Sequence, residues 1–195
     1  MGQGNPARLT ANLPDGVIVH ELCPHPDTRG IFTEIHRDEW MLGERSVQFN
    51  VVRSNAGVLR GVHVHARHAD YFVLVAGQML MGLHDLRPWS PTHRISCLIA
   101  LDEERPQAVV TPPGVAHGFY FLTPAVHVYG VSHYWDRADE IALRWDCVDL
   151  GLAWPTAAPL LSERDQAALG YAEGTERFLR TWEAMYGAVG AGAAP

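Results

Sequence analysis

The sequence predicts an all-β sandwich or barrel followed by a C-terminal helical segment. Between about residues 16 and 150, the apolar residues come in short runs that Gly, Pro, Asp and Asn interrupt. Many short strands separated by turn residues are typical of β-sandwiches and β-barrels. This stretch contains no long segment of helical periodicity, which disfavours an α/β topology. After Trp154 and Pro155 the pattern changes to helical periodicity.

The predicted strands follow one another at short intervals. They are the runs at 16–22, 32–36, 47–54, 70–77, 78–86, 93–101, 107–113, 117–123, 126–135 and 141–145. A further strand is predicted near His63, because Gly61, Val62 and Val64 suit a strand whose other face packs on a core. Turn residues separate these runs. Gly77 with Gln78 and Pro88 with Trp89 mark hairpins or turns, and Pro112-Pro113-Gly114 marks a sharp bend.

Two helical segments are predicted at the C-terminus, LSERDQAAL (161–169) and TERFLRTWEAMYGAV (175–189). In the second segment Phe178, Trp182, Met185 and Val189 recur at helical spacing, which predicts an amphipathic helix packed on the barrel. We therefore expect one domain over residues 1–195. Its expected parts are a flexible N-terminus (1–15), a barrel (16–155), C-terminal helices (156–190) and a disordered tail (191–195).

Composition excludes several classes of protein. The net charge of −7 disfavours a nonspecific nucleic-acid binder, and no apolar run approaches the length of a membrane helix. The N-terminus has no apolar segment of signal-peptide length, so we expect a cytoplasmic protein. The three cysteines are widely separated, which suggests neither a disulfide framework nor a zinc ribbon.

The stretch from Gly57 to Gly77 is rich in histidine. Residues two apart on a strand face the same side, so His63 and His65 share a face. Together with Asp70 and the later Pro-x-Gly-x-x-His117, their spacing resembles the two motifs of the cupin superfamily, small β-barrels in which such residues converge on a metal. Three imidazoles and a carboxylate are plausible ligands for iron, manganese, nickel or zinc. We interpret His68 as an ordinary hydrogen-bonded residue of the barrel or its rim.

A longer resemblance spans residues 16–165. The sequence is similar to the dTDP-4-dehydrorhamnose 3,5-epimerase family of the cupin superfamily. The matching pieces are D-T-R-G-I-F-T-E (27–34), Q-F-N (48–50), G-V-L-R-G-V-H (57–63), D-L-R-P-W-S-P-T (85–92), P-P-G-V-A-H-G-F (112–119), Y-G-V-S-H-Y (129–134), Glu140, R-W-D (144–146), L-G-L-A-W-P (150–155) and L-S-E-R-D (161–165). The resemblance implies a cupin jelly roll, a homodimer, a nucleotide-sugar substrate and no cofactor or catalytic metal.

Epimerisation beside a ketone requires a base, a stabiliser for the enolate oxygen and an acid on the opposite face. The resemblance implies that His63 is the base, that Asp165 is its partner and that Tyr129 returns the proton. A neutral histidine oriented by a buried carboxylate suits this task near neutral pH. The alternative for Tyr129 is a barrel tyrosine with a satisfied hydroxyl.

The resemblance also implies a set of substrate-binding residues. Arg60 matches an arginine that faces the diphosphate, where its planar fork makes bidentate contacts. Two positions match residues of a neighbouring subunit's N-terminal strand, and the rest match residues of the same cleft. Arg29 and Glu34 are the positions that match residues of the neighbouring subunit. Gln48, Asn50, His117 and Tyr134 match residues of the cleft.

Two positions depart from the family pattern. His65 stands where relatives have Gln, and Asp70 stands where they have a Lys that helps to stabilise the enolate. An anion at that place raises the barrier, so the family mechanism does not transfer unchanged. Either His65, His117 or an arginine supplies the missing charge, or His63, His65, Asp70 and His117 hold a metal, or the protein is a nucleotide-sugar 3,4-ketoisomerase. A noncatalytic cupin is a further alternative.

Overall fold

A computed structural model describes residues 12–136 and 139–187. Within these residues the chain forms an antiparallel β-sandwich and two C-terminal helices. The strands are β1 (Ile18–Glu21), β2 (Pro24–Asp27), β3 (Gly30–Thr33), β4 (Gln48–Ser54), β5 (Leu59–His65), β6 (Asp70–Ala76), β7 (Gln78–Asp85), β8 (Ser96–Asp102), β9 (Gln107–Thr111), β10 (Val115–Phe121), β11 (Ala125–Val131) and β12 (Glu140–Ala142). The helices are α1 (Glu163–Gln166) and α2 (Tyr171–Tyr186), and short 3-10 helices lie at Asp38–Trp40 and Val148–Leu150.

The strands build two five-stranded sheets and a separate hairpin. The first sheet has the order β1-β9-β6-β11-β4, the second has the order β12-β5-β10-β7-β8, and β2 pairs only with β3. All named strand pairs are antiparallel. Neighbouring strands in each sheet are mostly far apart in sequence, as in a jelly roll. The prediction of an all-β fold with a C-terminal helical segment is confirmed.

Apolar side chains fill the space between the sheets and cover both outer faces. Phe72, Met81 and Phe121 belong to the cluster between the sheets. Val62 and Val64 pack on the outer face of the second sheet against the helix α2, which confirms the prediction that one face of β5 packs on a core. The first sheet's outer face carries a third cluster, which includes Tyr71 and Val110.

The turn at Gly77 connects the two sheets. It follows β6 of the first sheet and precedes β7 of the second, so it is a turn but not a hairpin. Gly77 has a φ of 88°, and a Cβ atom there would lie 2.4 Å from the carbonyl oxygen of Pro124. By contrast, Pro88 and Trp89 lie in the loop of the β7–β8 hairpin, where the N–H of Ser90 donates to the carbonyl of Arg87 at 3.1 Å.

Several predicted elements differ in extent from the observed ones, most clearly the run at 32–36 and the two C-terminal helices. The run at 32–36 is strand only up to Thr33, and its partner β2 was not predicted. Only four residues of 161–169 are helical in α1, whose N-cap Ser162 accepts a hydrogen bond from the N–H of Asp165. Helix α2 begins at Tyr171, before the predicted start, and ends at Tyr186, before Gly187 with a φ of 83°.

The predicted packing face of α2 is partly borne out. Phe178 and Trp182 are buried, whereas Met185 is exposed. Val189 lies outside the described residues, as do most of the N-terminus predicted to be flexible and the whole of the predicted tail at 191–195.

Candidate active site

A cavity of about 470 Å³ lies between the two sheets and receives side chains from both. Its lining combines many polar groups with a few apolar ones. The residues are Val52, Arg60, His63, His65, His68, Asp70, Phe72, His117, Phe119, His127, Tyr129, Trp135, Glu140, Ser162, Arg164 and Asp165. Such convergence of titratable groups in one cavity marks the default candidate for an active site.

His63 and Asp165 meet at this cavity. His63 lies on β5, where Gly61 allows close strand approach because a Cβ atom there would lie 2.7 Å from Cα of Gly118. The Nε2 atom of His63 lies 2.7 Å from Oδ1 of Asp165, on the short helix α1. A carboxylate accepts, so Nε2 carries the proton and the lone pair of the neutral ring is on Nδ1.

Asp165 is buried but remains an anion. Burial alone would raise its pKa, but hydrogen bonds from His63 and Ser162, together with the charge of Arg164, hold the pKa of Asp165 below its usual value. The hydroxyl of Ser162 donates to Oδ2 at 2.8 Å. The carboxylate is therefore oriented at both oxygens.

Arg164 brings a permanent positive charge to the same place. Its Nη2 lies 3.2 Å from Nε2 of His63, and its Nη1 forms an ion pair with Oε1 of Glu140. Glu140 also accepts a hydrogen bond from Nε1 of Trp135 at 3.1 Å and lies 3.5 Å from Nδ1 of His63. Arg164 has no predicted role, although it precedes Asp165 in the matched L-S-E-R-D motif.

Tyr129 enters the cavity from the first sheet, on β11, whereas His63 comes from the second sheet. Burial raises the pKa of the Tyr129 hydroxyl, and the negative charges of Asp70 and Glu140 raise it further. The hydroxyl thus keeps its proton at neutral pH and is available as a donor.

Three imidazoles surround the carboxylate of Asp70. Its Oδ2 lies 3.5 Å from Nδ1 of His68, 3.9 Å from Nε2 of His117 and 4.0 Å from Nε2 of His65. Burial, followed by the charges of His68 and His117, holds the pKa of His65 well below its usual value. Burial likewise lowers the pKa of His117, although Asp70 opposes it. Both rings are therefore neutral at pH 7.

His68 differs from the two neighbouring histidines because two carboxylates flank its ring. It is buried in the cavity wall, where its Nδ1 lies 3.5 Å from Oδ2 of Asp70 and its Nε2 lies 3.9 Å from Oδ2 of Asp139. Burial would lower its pKa, but hydrogen bonding to Asp70, together with the charges of Asp70 and Asp139, outweighs that effect and raises the pKa of His68. The interpretation of His68 as an ordinary residue of the barrel stays a prediction.

Three predicted binding residues lie in or beside the cavity, on strands β4 and β5. Arg60 lines it and donates from Nε to Oγ of Ser54 at 3.0 Å. Gln48 and Asn50 lie on the edge strand β4 next to Tyr129, where the Gln48 amide donates to Oδ1 of Asn50 at 3.0 Å. Neither of these two amides is part of the cavity wall.

Three other predicted residues lie away from the cavity of their own chain. Arg29 is on the β2–β3 hairpin, has an 88% exposed side chain and pairs with Asp27. Glu34 follows that hairpin and bonds with Arg37. Tyr134 is 76% exposed, and its neighbour Trp135 lines the cavity instead.

Two groups of side chains in or beside the cavity bring potential metal-ligand atoms together. The ligand atoms of His65, Asp70 and His117 lie within 4.8 Å of one another, and so do those of His65, His68 and Asp139. His63, a member of the metal set that the sequence offers as an alternative, belongs to neither group. Among the described helices, none combines the length and apolar character needed to cross a bilayer.

Comparison with known proteins decides the family. The family model for dTDP-4-dehydrorhamnose 3,5-epimerase matches residues 11–173. The chain belongs to this family. The isomerase class and the cupin jelly roll predicted from the sequence are thereby confirmed for this dTDP-sugar epimerase homologue.

Individual relatives support the assignment. The chain is 34% identical over 146 residues to the spore coat polysaccharide biosynthesis protein SpsL of Bacillus subtilis, covering 73% of this chain and 97% of SpsL. It is 36% identical over 166 residues to a dTDP-4-dehydrorhamnose 3-epimerase of Streptomyces niveus, covering 80% of each. A crystal structure of a double variant of ChmJ, a 3'-monoepimerase from Streptomyces bikiniensis, in complex with dTDP, superposes with a TM-score of 0.78 at 29% identity, covering 89% of this chain and 96% of that chain.

Proposed function

We propose that this family member epimerises C3, C5 or both carbons of a dTDP-4-keto-6-deoxyhexose in deoxysugar biosynthesis. The contact between His63 and Asp165 in a cavity that Tyr129 enters from the other sheet carries the proposal. Membership in the epimerase family supplies the substrate class.

His63 acts as the base in this proposal. The 4-keto group acidifies the hydrogens at C3 and C5, and Nδ1 of His63 holds the free lone pair that accepts one of them. Asp165 stabilises the resulting imidazolium through Nε2–H and fixes the ring's orientation. The proton leaves carbon for Nδ1, and its electron pair passes to the carbonyl oxygen as an enolate.

Tyr129 acts as the acid. It projects from the sheet opposite to that of His63, so the two groups are suited to work on the two faces of a sugar ring between them. Donation of the phenolic proton to the face opposite His63 inverts the carbon. The raised pKa of Tyr129 keeps this proton in place until the enolate forms.

Arg164 is our candidate for the cation that the family lysine supplies elsewhere. Its guanidinium lies in the cavity wall beside His63, and a guanidinium is always charged in proteins. The negative charge of the enolate develops on the ketone oxygen, so this role requires that the oxygen binds within reach of Arg164, whose Nη1 also pairs with Glu140. This supports the first of the three explanations for Asp70, in which an arginine provides the missing charge.

Arg60 is proposed to bind the diphosphate, with Gln48, Asn50, His117 and Tyr134 completing the substrate contacts. A cavity arginine can offer two parallel N–H donors to a phosphate. Only one nitrogen of Arg60, Nε, donates to a described protein group, Ser54.

A homodimer is proposed to complete the site. The β2–β3 hairpin carries Ile31 and Phe32, which are 72% and 64% exposed, and it pairs with no other strand among the described residues. Exposed apolar side chains on an isolated hairpin suit a protein interface. Arg29 and Glu34, at the hairpin's turn and end, would then reach the partner's nucleotide.

We also propose that the protein is located in the cytoplasm.

Product analysis tests the proposed function. The protein is incubated with dTDP-4-keto-6-deoxyglucose, and the product is examined by NMR. We expect an inverted configuration at C3, C5 or both with the ketone still at C4. A ketone moved to C3 would support the 3,4-ketoisomerase alternative, and unchanged substrate would contradict catalysis on this substrate class.

A further inference from the structure

We propose that His127 binds the β-phosphate of the nucleotide-sugar, the phosphate that carries the sugar, by donating a hydrogen bond to a phosphoryl oxygen beside Arg60. The inference rests on the proposed function, in which Arg60 contacts the diphosphate, and it adds a residue with no predicted role. The observation that carries it is a buried imidazole in the cavity wall whose Nδ1 lacks a hydrogen-bond partner.

His127 is enclosed by aromatic side chains but is part of the cavity wall. The residue is 2% exposed. Its ring stacks on that of Phe121 with centroids 5.6 Å apart, and its centroid lies 5.3 Å from that of Phe119. Nδ1 of His127 is buried and has no hydrogen-bond partner. A buried polar atom without a partner is costly and calls for a physical explanation, which a ligand oxygen in the cavity supplies.

Arg60 makes the surroundings of His127 suitable for an anion. Burial, followed by the charge of Arg60, lowers the pKa of His127 from 6.5 to about 4. Among the described residues, Arg60 is the charged group that acts on His127, and the Cα partners of His127 are the apolar residues Val52 and Leu74. One nitrogen of a neutral imidazole carries a proton, so His127 can donate without titrating. A guanidinium and an N–H donor in one wall are a common arrangement for phosphate.

The strand register places His127 at the same end of the cavity as Arg60. Residues two apart on a strand share a face and lie about 6.8 Å apart, so His127 and Tyr129 both point from β11 into the cavity. Arg60 donates from Nε to Ser54, whose Cα partner on β11 is Ala125. His127 therefore lies between the proposed acid and the proposed diphosphate ligand.

Asp70 marks the opposite direction along the same strand. It is the Cα partner of Val131, which is four residues beyond His127 on β11. A phosphate near Asp70 would meet a like charge, whereas near His127 it meets an N–H donor and the guanidinium of Arg60. A sugar ring held at Tyr129, between the two, is thus oriented with its phosphate toward His127.

Binding of dTDP and dTMP tests the proposal, because only dTDP has a β-phosphate. Both affinities are measured on the full chain by isothermal titration calorimetry at one pH and ionic strength. H127F and H127L remove the donor but keep an apolar side chain among Phe119 and Phe121. We expect each to weaken dTDP binding about 10-fold or more and dTMP binding less than about 2-fold. The two variants keep the test valid if one of them fails to fold.

V52A is the matched control, since it truncates the Cα partner of His127 in the same cavity wall and removes no donor. It should change the ratio of the dTDP and dTMP affinities by less than about 2-fold. Neither nucleotide carries a sugar substrate, so the result does not depend on epimerisation, which product analysis tests separately. An unchanged dTDP affinity in H127F and H127L, equal losses for both nucleotides, or a native protein that binds dTDP no more tightly than dTMP would overturn the proposal.

Discussion

Oδ1 of Asp165 lies 2.7 Å from Nε2 of His63, although 102 residues separate them in the sequence. The contact joins strand β5 to a helix of only four residues. Ser162 fixes the other carboxylate oxygen, so the pair is oriented at both ends. This arrangement gives His63 a defined proton at Nε2 and a free lone pair at Nδ1, which is the state that a general base requires.

Replacing Asp165 by Asn tests the carboxylate. An amide neither stabilises the imidazolium nor fixes the proton at Nε2, so we expect kcat to fall about 10²–10⁴-fold. The measurement is the steady-state rate of epimerisation. The neighbouring exposed residue Glu163, replaced by Gln, is the control and should retain the native rate. A D165N variant with native kcat would contradict the proposed pairing.

Replacing Tyr129 by Phe separates the two half-reactions. His63 still removes the proton and exchanges it with solvent, but no acid protonates the opposite face. We expect inversion to fall about 100-fold or more while deuterium enters the substrate with retained configuration. NMR in D₂O distinguishes the two outcomes, and Y120F on the barrel's outer side serves as the control. Equal losses of exchange and inversion would argue against Tyr129 as the acid.

Arg164 is tested by two substitutions of different charge. R164K keeps a cation near His63, whereas R164Q removes it. We expect kcat to fall about 100-fold in R164Q and clearly less in R164K, because the charge stabilises the enolate. R177Q on helix α2 controls for loss of a surface arginine. Equal activity of R164Q and the native protein would show that another group neutralises the enolate.

The stability of the protein is expected to fall as the pH drops below neutrality. Burial lowers the pKa of His84 from 6.5 to about 4, and its ring bonds with Ser96 and Tyr171. Between these pH values the unfolded chain binds a proton that the folded chain does not, so His84 stabilises the fold above pH 6.5 and loses this effect as the pH falls toward 4. At pH 5 the loss is about 2 kcal/mol at most.

Urea unfolding at pH 7.5 and pH 5 measures this loss. We expect H84Q to show a smaller pH dependence than the native protein, by up to about 2 kcal/mol. H25Q, at an exposed position on the β2–β3 hairpin, should leave the difference unchanged. An identical pH dependence in H84Q and the native protein would contradict the assignment.

Phe32 tests the proposed dimer. A charge at this 64% exposed apolar position disfavours burial in an interface, so F32D is expected to sediment as a monomer where the native protein is a dimer. The activity of F32D should fall with the loss of the partner's Arg29 and Glu34. E44Q, at another exposed position, controls for surface changes. A native protein that sediments as a monomer would contradict the proposal.

The sequence predicts most of this fold because its strands carry a clear pattern. The run at 70–76 is largely apolar, and both of its faces are covered by other apolar groups, so it is recognisable without the structure. Strand β2 has the sequence PHPD, which lacks apolar alternation and contains two prolines, so only its pairing with β3 reveals it. Helix α1 is shorter than the predicted segment at 161–169, because it consists of a single helical turn that Ser162 caps.

The candidate site is predictable to the extent that its residues lie in recognisable motifs. His63, Tyr129 and Asp165 lie in such motifs, and all three line the cavity. Arg164 is missed because nothing local distinguishes it from a surface arginine. Its significance depends on a chain segment about a hundred residues away, as in the contact between Arg164 and His63.

Deuterium incorporation by the native protein and by H63N tests the central claim most directly. Both proteins are incubated with dTDP-4-keto-6-deoxyglucose in D₂O, and the hydrogens at C3 and C5 are followed by NMR. We predict that the native protein exchanges at least one of them while the ketone stays at C4, and that H63N exchanges it about 10²–10⁴-fold more slowly. Exchange by H63N at the native rate would show that His63 is not the base.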